Sequence, residues 1–401
     1  MNVEAGSKTQ FFIDIENDLG AKNYHPLDVV IEKAKGIWVY DVDGNKYMDC
    51  LSSYSAVNQG HCHPKLVQTL KEQAEMVTLT SRAFRNNQLP LLYKKLNEIS
   101  KKDMFLMMNS GAEAIETAIK AARKWGYKVK GIPENQAEII VCENNFHGRT
   151  TTIVSFSSDE QYKDGFGPFT PGFKIIPFGD IEALKNAITA NTAGFLIEPI
   201  QAEAGIYMPP DGYLKEAFEL CKKNNVLFIA DEIQTGLGRT GKMFAHYYEN
   251  IEPDMIVVGK ALSGGFYPVS AVLSNKEVLG VFNPGDHGST FGGNPLGCAV
   301  AQTALQVIIE EDLCKNSYEM GEYIISKLKA IQNDKIKEIR GKGLLIGIEL
   351  NVKARPICEK LKELGMLCKD THGTIIRLTP PLVITKEEID WAVDKIATAL
   401  K

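Results

Sequence analysis

The chain has 401 residues, enough to bury a large core and to divide into more than one domain. Apolar residues make up 44% and charged residues 24%, a balance that excludes a collagen-like or disordered chain. A net charge of -5 gives no electrostatic footprint for nucleic acid, so small molecules are the expected partners.

In chain order, the first twenty residues carry acidic side chains and no apolar core of signal-peptide length, and no run of 18 apolar residues follows anywhere. Eight cysteines without CxxC pairing fit reduced thiols. A cytoplasmic protein without membrane spans is expected. Residues 37–40 and 46–48 flank Asp43-Gly44, a turn dipeptide that takes positive φ cheaply, which predicts an early hairpin.

From about residue 65, helical patterns alternate with short apolar runs at 138–141, 194–197, 226–230 and 255–258. Buried strands of an α/β sheet read this way. Each run ends in polar residues: Glu143-Asn144-Asn145, Glu198, Asp231-Glu232 and Lys260. Open α/β sheets bind ligands beyond the carboxyl ends of their strands, so these clusters are expected to converge. After about residue 303 come a long helical stretch, a strand at 344–350, Ile375-Ile376-Arg377-Leu378 and a final helix. The expected division is an N-terminal segment of a small domain (1–56), a large domain with a mostly parallel sheet (57–302) and the remainder of the small α+β domain (303–401).

Lys260 closes one apolar run and precedes Ala261-Leu262-Ser263-Gly264-Gly265. An amine at the end of a buried strand is partly desolvated, which lowers its pKa and favours Schiff-base chemistry. Taken alone, such a lysine is more often a surface residue. Asp231, at the end of the preceding apolar run, changes the odds. Pyridoxal phosphate requires a carboxylate against its pyridine nitrogen, so that the protonated ring draws electrons from the substrate carbon. Asp231 can supply it; a structural aspartate capping a helix is the alternative.

Ser110 and Glu113 match a capping box at the start of a strongly helical stretch, and the same geometry leaves backbone N–H groups at a positive helix end where a phosphate fits. A plain helix start would look the same. The loop His287-Gly288-Ser289-Thr290-Phe291-Gly292-Gly293-Asn294, rich in small residues and hydroxyls, is a second phosphate candidate. Phe146 follows a strand and could lie on one face of the pyridine ring, or be an ordinary core residue. His61-Cys62-His63 places its ligands too close together for a usual zinc site, so no metal is expected.

Three signatures carry a resemblance: Asn109-Ser110-Gly111-Ala112-Glu113-Ala114; Ala230-Asp231-Glu232-Ile233-Gln234-Thr235-Gly236 with Gly238-Arg239-Thr240-Gly241; and Gly259-Lys260-Ala261-Leu262-Ser263-Gly264-Gly265. Together they resemble the class III aminotransferases of pyridoxal-phosphate fold type I, over nearly the whole chain from Asn23 to Arg377. Residues 51–64 and Ser81-Arg82-Ala83-Phe84 look like the branch that transaminates ornithine.

The resemblance implies that Lys260 is the cofactor-bound lysine and proton shuttle and that Asp231 pairs with the pyridinium. It places Gln234 at the ring hydroxyl, Phe146 on the ring face, and Ser110, Gly111 and Ala112 around the phosphate. Ser289 belongs with the phosphate loop, and Thr290 is expected to arrive from a second subunit, making the protein at least a symmetric dimer with shared sites. It further implies transfer of the δ-amine of L-ornithine to 2-oxoglutarate, with acetylornithine or 4-aminobutyrate as the alternative substrates.

For ornithine, Arg149 is the expected carboxylate clamp, with Tyr24 and Tyr54 at the α-amine end. For the keto acid, Arg377 is expected to take the second carboxylate after Glu203, which neutralises it while ornithine binds, swings away. Ala202 stands where related enzymes commonly carry glycine, and His147 where an aromatic is frequent; the Ala202 methyl is expected to restrict the Glu203 swing.

Overall fold

The computed structural model describes residues 8–401, so the first seven residues of the expected N-terminal segment lie outside the described residues. The hairpin forms as Trp38–Asp41 paired antiparallel with Lys46–Asp49, and Gly44 takes φ +90° at its turn. Strand Ile31–Lys35 adds on one side and Met366–Leu367 pairs in parallel on the other, so the beginning and the end of the chain share a four-stranded sheet.

The four apolar runs become strands Glu138–Cys142, Thr192–Ile197, Leu227–Asp231 and Met255–Val258 of a seven-stranded sheet. Its order is Met104–Met108, Ser270–Ser274, Met255–Val258, Leu227–Asp231, Thr192–Ile197, Glu138–Cys142, Phe173–Ile176. Ser270–Ser274 runs antiparallel to both neighbours and the remaining pairings are parallel, as expected of a mostly parallel sheet.

Both faces of this sheet are covered, which is why its strands read as continuous apolar runs. Leu227 and Ile229 pack on one side with Ala114, Ile115, Ala118 and Ile119 of helix Gly111–Trp125. Phe228 and Ala230 face the other way, against Tyr213, Leu214 and Ala217 of helix Tyr213–Lys223. Alternate residues of one strand thus serve two cores, the period-two rule of extended backbone.

A second antiparallel sheet runs Ile336–Lys342, Leu345–Leu350, Ile375–Leu378, Lys369–Thr371, beside helices Leu313–Lys329 and Lys386–Ala399. Helix Pro295–Glu310 begins earlier than the sequence reading placed it, because Asn294 accepts the Gly297 N–H at 2.7 Å and Pro295 is preset for the first helical position. Residue 302 therefore lies inside a continuous helix. Among the described residues no helix is long and apolar enough to cross a membrane.

Candidate active site

The carboxyl ends of the central strands meet at a cavity of about 180 Å³ whose lining includes Gly111, Phe146, Glu198, Asp231, Gln234 and Lys260. The expected convergence holds for Glu198, Asp231 and Lys260, while the first of the four strands brings Phe146 and His147 to the cavity rather than Glu143-Asn144-Asn145. Lys260 follows strand Met255–Val258 and sits at φ +43°, a left-handed conformation that costs a non-glycine residue about 1–2 kcal/mol. Ser263 Oγ donates to the Lys260 carbonyl at 2.7 Å, and Gln59 Nε2 donates to the Ala261 carbonyl at 3.1 Å, which hold the turn. Burial pulls the Lys260 amine down to about 8, and Arg377 pushes the same way against the opposing charges of Glu203 and Asp231.

Asp231 is 4% exposed. Its Oδ1 accepts the Ile233 N–H at 3.1 Å, and its Oδ2 lies 2.6 Å from His147 Nδ1. Because Oδ2 is an acceptor, His147 carries its proton on Nδ1; its buried Nε2 has no partner among the described residues. The next residue, Glu232, turns away and pairs with buried His246 at 2.8 Å, so the adjacent carboxylates do separate work.

Glu198 was legible as a strand-end polar residue but was assigned no role, and it proves to be a buried cavity carboxyl. Its Oε2 accepts the Phe146 N–H at 3.0 Å. Burial, reinforced by the nearby Asp231 charge, pushes its pKa well above the usual carboxylate value.

The capping box forms: Ser110 Oγ accepts the Glu113 N–H at 3.2 Å, and a Glu113 carboxylate oxygen accepts the Ser110 N–H at 2.6 Å. That leaves the Gly111 and Ala112 N–H groups at the helix start facing the cavity. Gly111 keeps the helix start open, since a Cβ there would stand 3.0 Å from Ile233 Cδ1, close enough that this methyl would have to give way. Ser289 Oγ accepts from Asn109 Nδ2 at 2.9 Å, so the second loop reaches this helix start.

Arg377 is buried. Its Nη1 donates to Glu203 Oε1 at 2.7 Å and its Nη2 to Gln234 Oε1 at 2.7 Å. Burial works to raise the Glu203 carboxyl, but Arg377 and Lys260 outweigh it and hold the group below its ordinary value. Tyr54 presents its ring 5.4 Å from the Arg377 guanidinium and accepts a hydrogen bond from Lys369 Nζ at 2.9 Å. Ala202 buries its methyl with Ile200, Ile206 and Leu345, where it forms part of an apolar cluster.

Other expected residues lie outside this cluster. Arg149 is exposed, with its guanidinium 4.4 Å from the Tyr162 ring centre and 5.9 Å from that of Phe146, at the rim. Tyr24 is 67% exposed and does not line the cavity. Its segment is tied instead to Arg355, which donates to the carbonyls of His25 and Pro26. Thr290 is exposed on its loop. His61 and His63 go to different carboxylates, Asp49 and Glu311. A larger, open hollow of about 550 Å³ lined by Glu160, Lys163, Asp164 and Phe169 includes none of the strand-end residues.

The sequence profile of the family described as Aminotransferase class-III matches residues 19–400. The chain belongs to that family. A class III aminotransferase of Brevibacillus brevis, named ornithine aminotransferase, is 64% identical over 98% of this chain and 99% of its own. Among solved structures, an ornithine aminotransferase from Toxoplasma gondii is 45% identical with a TM-score of 0.97, covering 98% of this chain and 94% of that one. An acetylornithine aminotransferase from Elizabethkingia anophelis is 50% identical with a TM-score of 0.90, covering 98% of each chain.

Class III aminotransferases work with pyridoxal phosphate, and the residues present fit it. The cavity lining brings together a buried carboxylate, a helix start whose first N–H groups have no partner within the helix, and a desolvated amine. Sequence reasoning missed Glu198 and Ile233 and read His147 as a stacking position, whereas the structure makes His147 the hydrogen-bond partner of Asp231. The signal for Glu198 was its place at a strand end; for His147 there was none, because its partner lies 84 residues away.

Proposed function

We propose that this class III aminotransferase transfers the δ-amine of L-ornithine to 2-oxoglutarate, giving glutamate 5-semialdehyde and glutamate in two half-reactions. The observation that carries the reading is the Glu203–Arg377 pair at 2.7 Å beside Lys260: a carboxylate receptor masked by an internal carboxylate. Ornithine needs that receptor hidden so that it does not bind by its α-carboxylate with the wrong amine forward. 2-Oxoglutarate needs it open. The 64% identity to a relative named ornithine aminotransferase supports the same reading.

When bound, pyridoxal phosphate supplies an aldehyde for amine exchange and an electron-withdrawing ring that stabilises a substrate carbanion. Asp231, oriented by His147 and the Ile233 N–H, is the carboxylate for the ring nitrogen. Gln234 would meet the ring hydroxyl, Phe146 would cover one ring face, and Ser110, Gly111 and Ala112 would hold the phosphate. Lys260 Nζ is the base for the ornithine Cδ proton, and its lowered pKa makes the neutral amine accessible as pH approaches 8. Arg149, at the rim and clear of the Arg377 pair, binds the α-carboxylate of ornithine and sets the δ-amine forward. Tyr54, beside Arg377, is assigned to the α-amine end of ornithine. In the second half-reaction Glu203 releases Arg377, and the distal carboxylate of 2-oxoglutarate replaces it, so no buried charge is left unpaired.

A homodimer with shared sites completes this arrangement. Thr290 is exposed and absent from its own chain's cavity, and helix Lys8–Leu19 presents Phe11, Phe12 and Ile15 with no buried residue. Both are surfaces for a second copy, which Thr290 serves at the phosphate together with Ser289; Tyr24, exposed here, is assigned to the substrate pocket of that assembly. Mixing inactive Lys260→Ala and Thr290→Ala subunits tests it, since only shared sites regain activity in the hybrid. The division at 56 and 302 and a cytoplasmic location complete the proposal, the latter supported by eight free cysteines. Product analysis of a single turnover with ornithine tests the reaction: the 5-semialdehyde supports it, and a 2-oxo acid retaining the δ-amine contradicts it.

A further inference from the structure

Arg239 follows strand Leu227–Asp231 in the same segment as Gln234, and its side chain is among the largest fully buried ones. No carboxylate lies within ion-pair distance of it among the described residues. Nη1 donates to the carbonyls of Leu344 at 2.9 Å and Pro380 at 2.6 Å. Nη2 donates to Ser52 Oγ at 3.0 Å and Asn58 Oδ1 at 2.5 Å. A second buried arginine, Arg377, is close enough to act on it unfavourably. A guanidinium taken out of water with no ion pair, and only the more distant Asp49 charge in its favour, is a costly way to hold a fold together, and four neutral acceptors do not remove that cost.

Three of the acceptors belong to segments that carry or border Arg377 and Tyr54. Pro380 lies just beyond Arg377, and Leu344 leads into the strand whose Gly347 pairs with Arg377. Ser52 opens a turn, Ser52–Ser55, in which four consecutive residues take φ of 41°, 49°, 59° and 73° without a single glycine. Such a run persists only where its surroundings over-determine it. Asp49 Oδ1 accepts the N–H groups of Leu51 and Ser52, both at 2.8 Å. The Ser52 hydroxyl donates to the Thr379 carbonyl at 2.5 Å while accepting from Arg239. Tyr54, whose ring faces Arg377, is carried on this turn.

We propose that Arg239 is a positioning residue for substrate selection: its planar fork clamps the Ser52–Ser55 turn to the end of the strand bearing Arg377, and so fixes Tyr54 and Arg377 in the relation that recognises a distal carboxylate. The inference rests on the assignment of Arg377 to the keto acid. Lysine keeps the charge but cannot present the fork to acceptors from four segments at once.

The test compares kcat/KM for 2-oxoglutarate with that for pyruvate, which lacks the distal carboxylate, in wild type, Arg239→Lys and Ser52→Ala holoenzyme. Both variants are expected to keep the absorbance spectrum of the bound cofactor and to lower the 2-oxoglutarate to pyruvate ratio by about tenfold or more, chiefly through KM for 2-oxoglutarate. An unchanged ratio in both variants overturns the role, whatever happens to their melting temperatures. If Arg239→Lys does not fold, Ser52→Ala decides alone, and an unchanged ratio there overturns it. A wild type indifferent to the distal carboxylate sinks the assignment of Arg377, and this role with it.

Discussion

Arg377 Nη1 donates to Glu203 Oε1 at 2.7 Å while its Nη2 is held by Gln234, so one of its two arms is released when Glu203 turns away and the other stays in place. Glu203→Ala therefore exposes the receptor permanently. The ratio of α-transamination of glutamate to δ-transamination of ornithine should rise by about tenfold or more in this variant. Steady-state rates on the two amines measure it, and an unchanged ratio counts against the masking role.

Glu198 and Asp231 line one cavity but differ in what they must be. Burial and the Asp231 charge raise the Glu198 pKa above its value in the unfolded chain, so the folded protein holds this proton to higher pH than the unfolded chain does. Its contribution to stability is present below the unfolded pKa and lost as pH rises toward the folded one. Glu198→Gln should then keep activity within a few fold, with its melting temperature gaining on wild type as pH rises from about 5 to 8. A pH-independent difference contradicts this. Asp231→Asn, by contrast, should lower kcat by at least about 10²-fold, the scale for one lost preorganised electrostatic contact.

With its pKa drawn down to about 8, the Lys260 amine loses its proton more than two units before an ordinary lysine does. The neutral amine is the nucleophile. In the cofactor-free protein, the rate of covalent cofactor uptake should climb with a midpoint near pH 8, followed by absorbance in a stopped-flow mixer. A midpoint above about 10 would mean that the site does not desolvate the lysine.

The reach of the sequence is clearest at the strand ends. Asp231, Lys260 and the Ser110 to Ala112 helix start were legible because each sits at the edge of an apolar run or inside a capping box, both local signals. The extra strand Ile31–Lys35 was not, since its burial pattern is mostly exposed. The left-handed Ser52–Ser55 turn carries no glycine to announce it. Arg239 stood in a quoted motif, but its acceptors lie 105 to 187 residues away. Tyr24 and Thr290 were named from the resemblance alone, and both are exposed in the single chain.

Gly205 lets the Glu203 turn approach the strand of Arg377. It takes φ +127°, a Cβ there would stand 2.3 Å from Ile375 Cδ1, and its carbonyl accepts from Arg340 Nε at 3.0 Å and Nη2 at 2.8 Å. Gly205→Ala combines a disallowed conformation with overpacking and should destabilise the protein by about 3 kcal/mol. Urea unfolding measures the loss; a midpoint equal to wild type would show that the turn yields freely.

The central claim is that ornithine itself is the amine donor, and the most direct measurement is kcat/KM for ornithine and for N-acetylornithine in one preparation with 2-oxoglutarate as acceptor. The account predicts a preference for ornithine of at least about tenfold, because it assigns Arg149 to the α-carboxylate and Tyr54 to the end that takes a free α-amine. A strong preference for the acetylated substrate would contradict it.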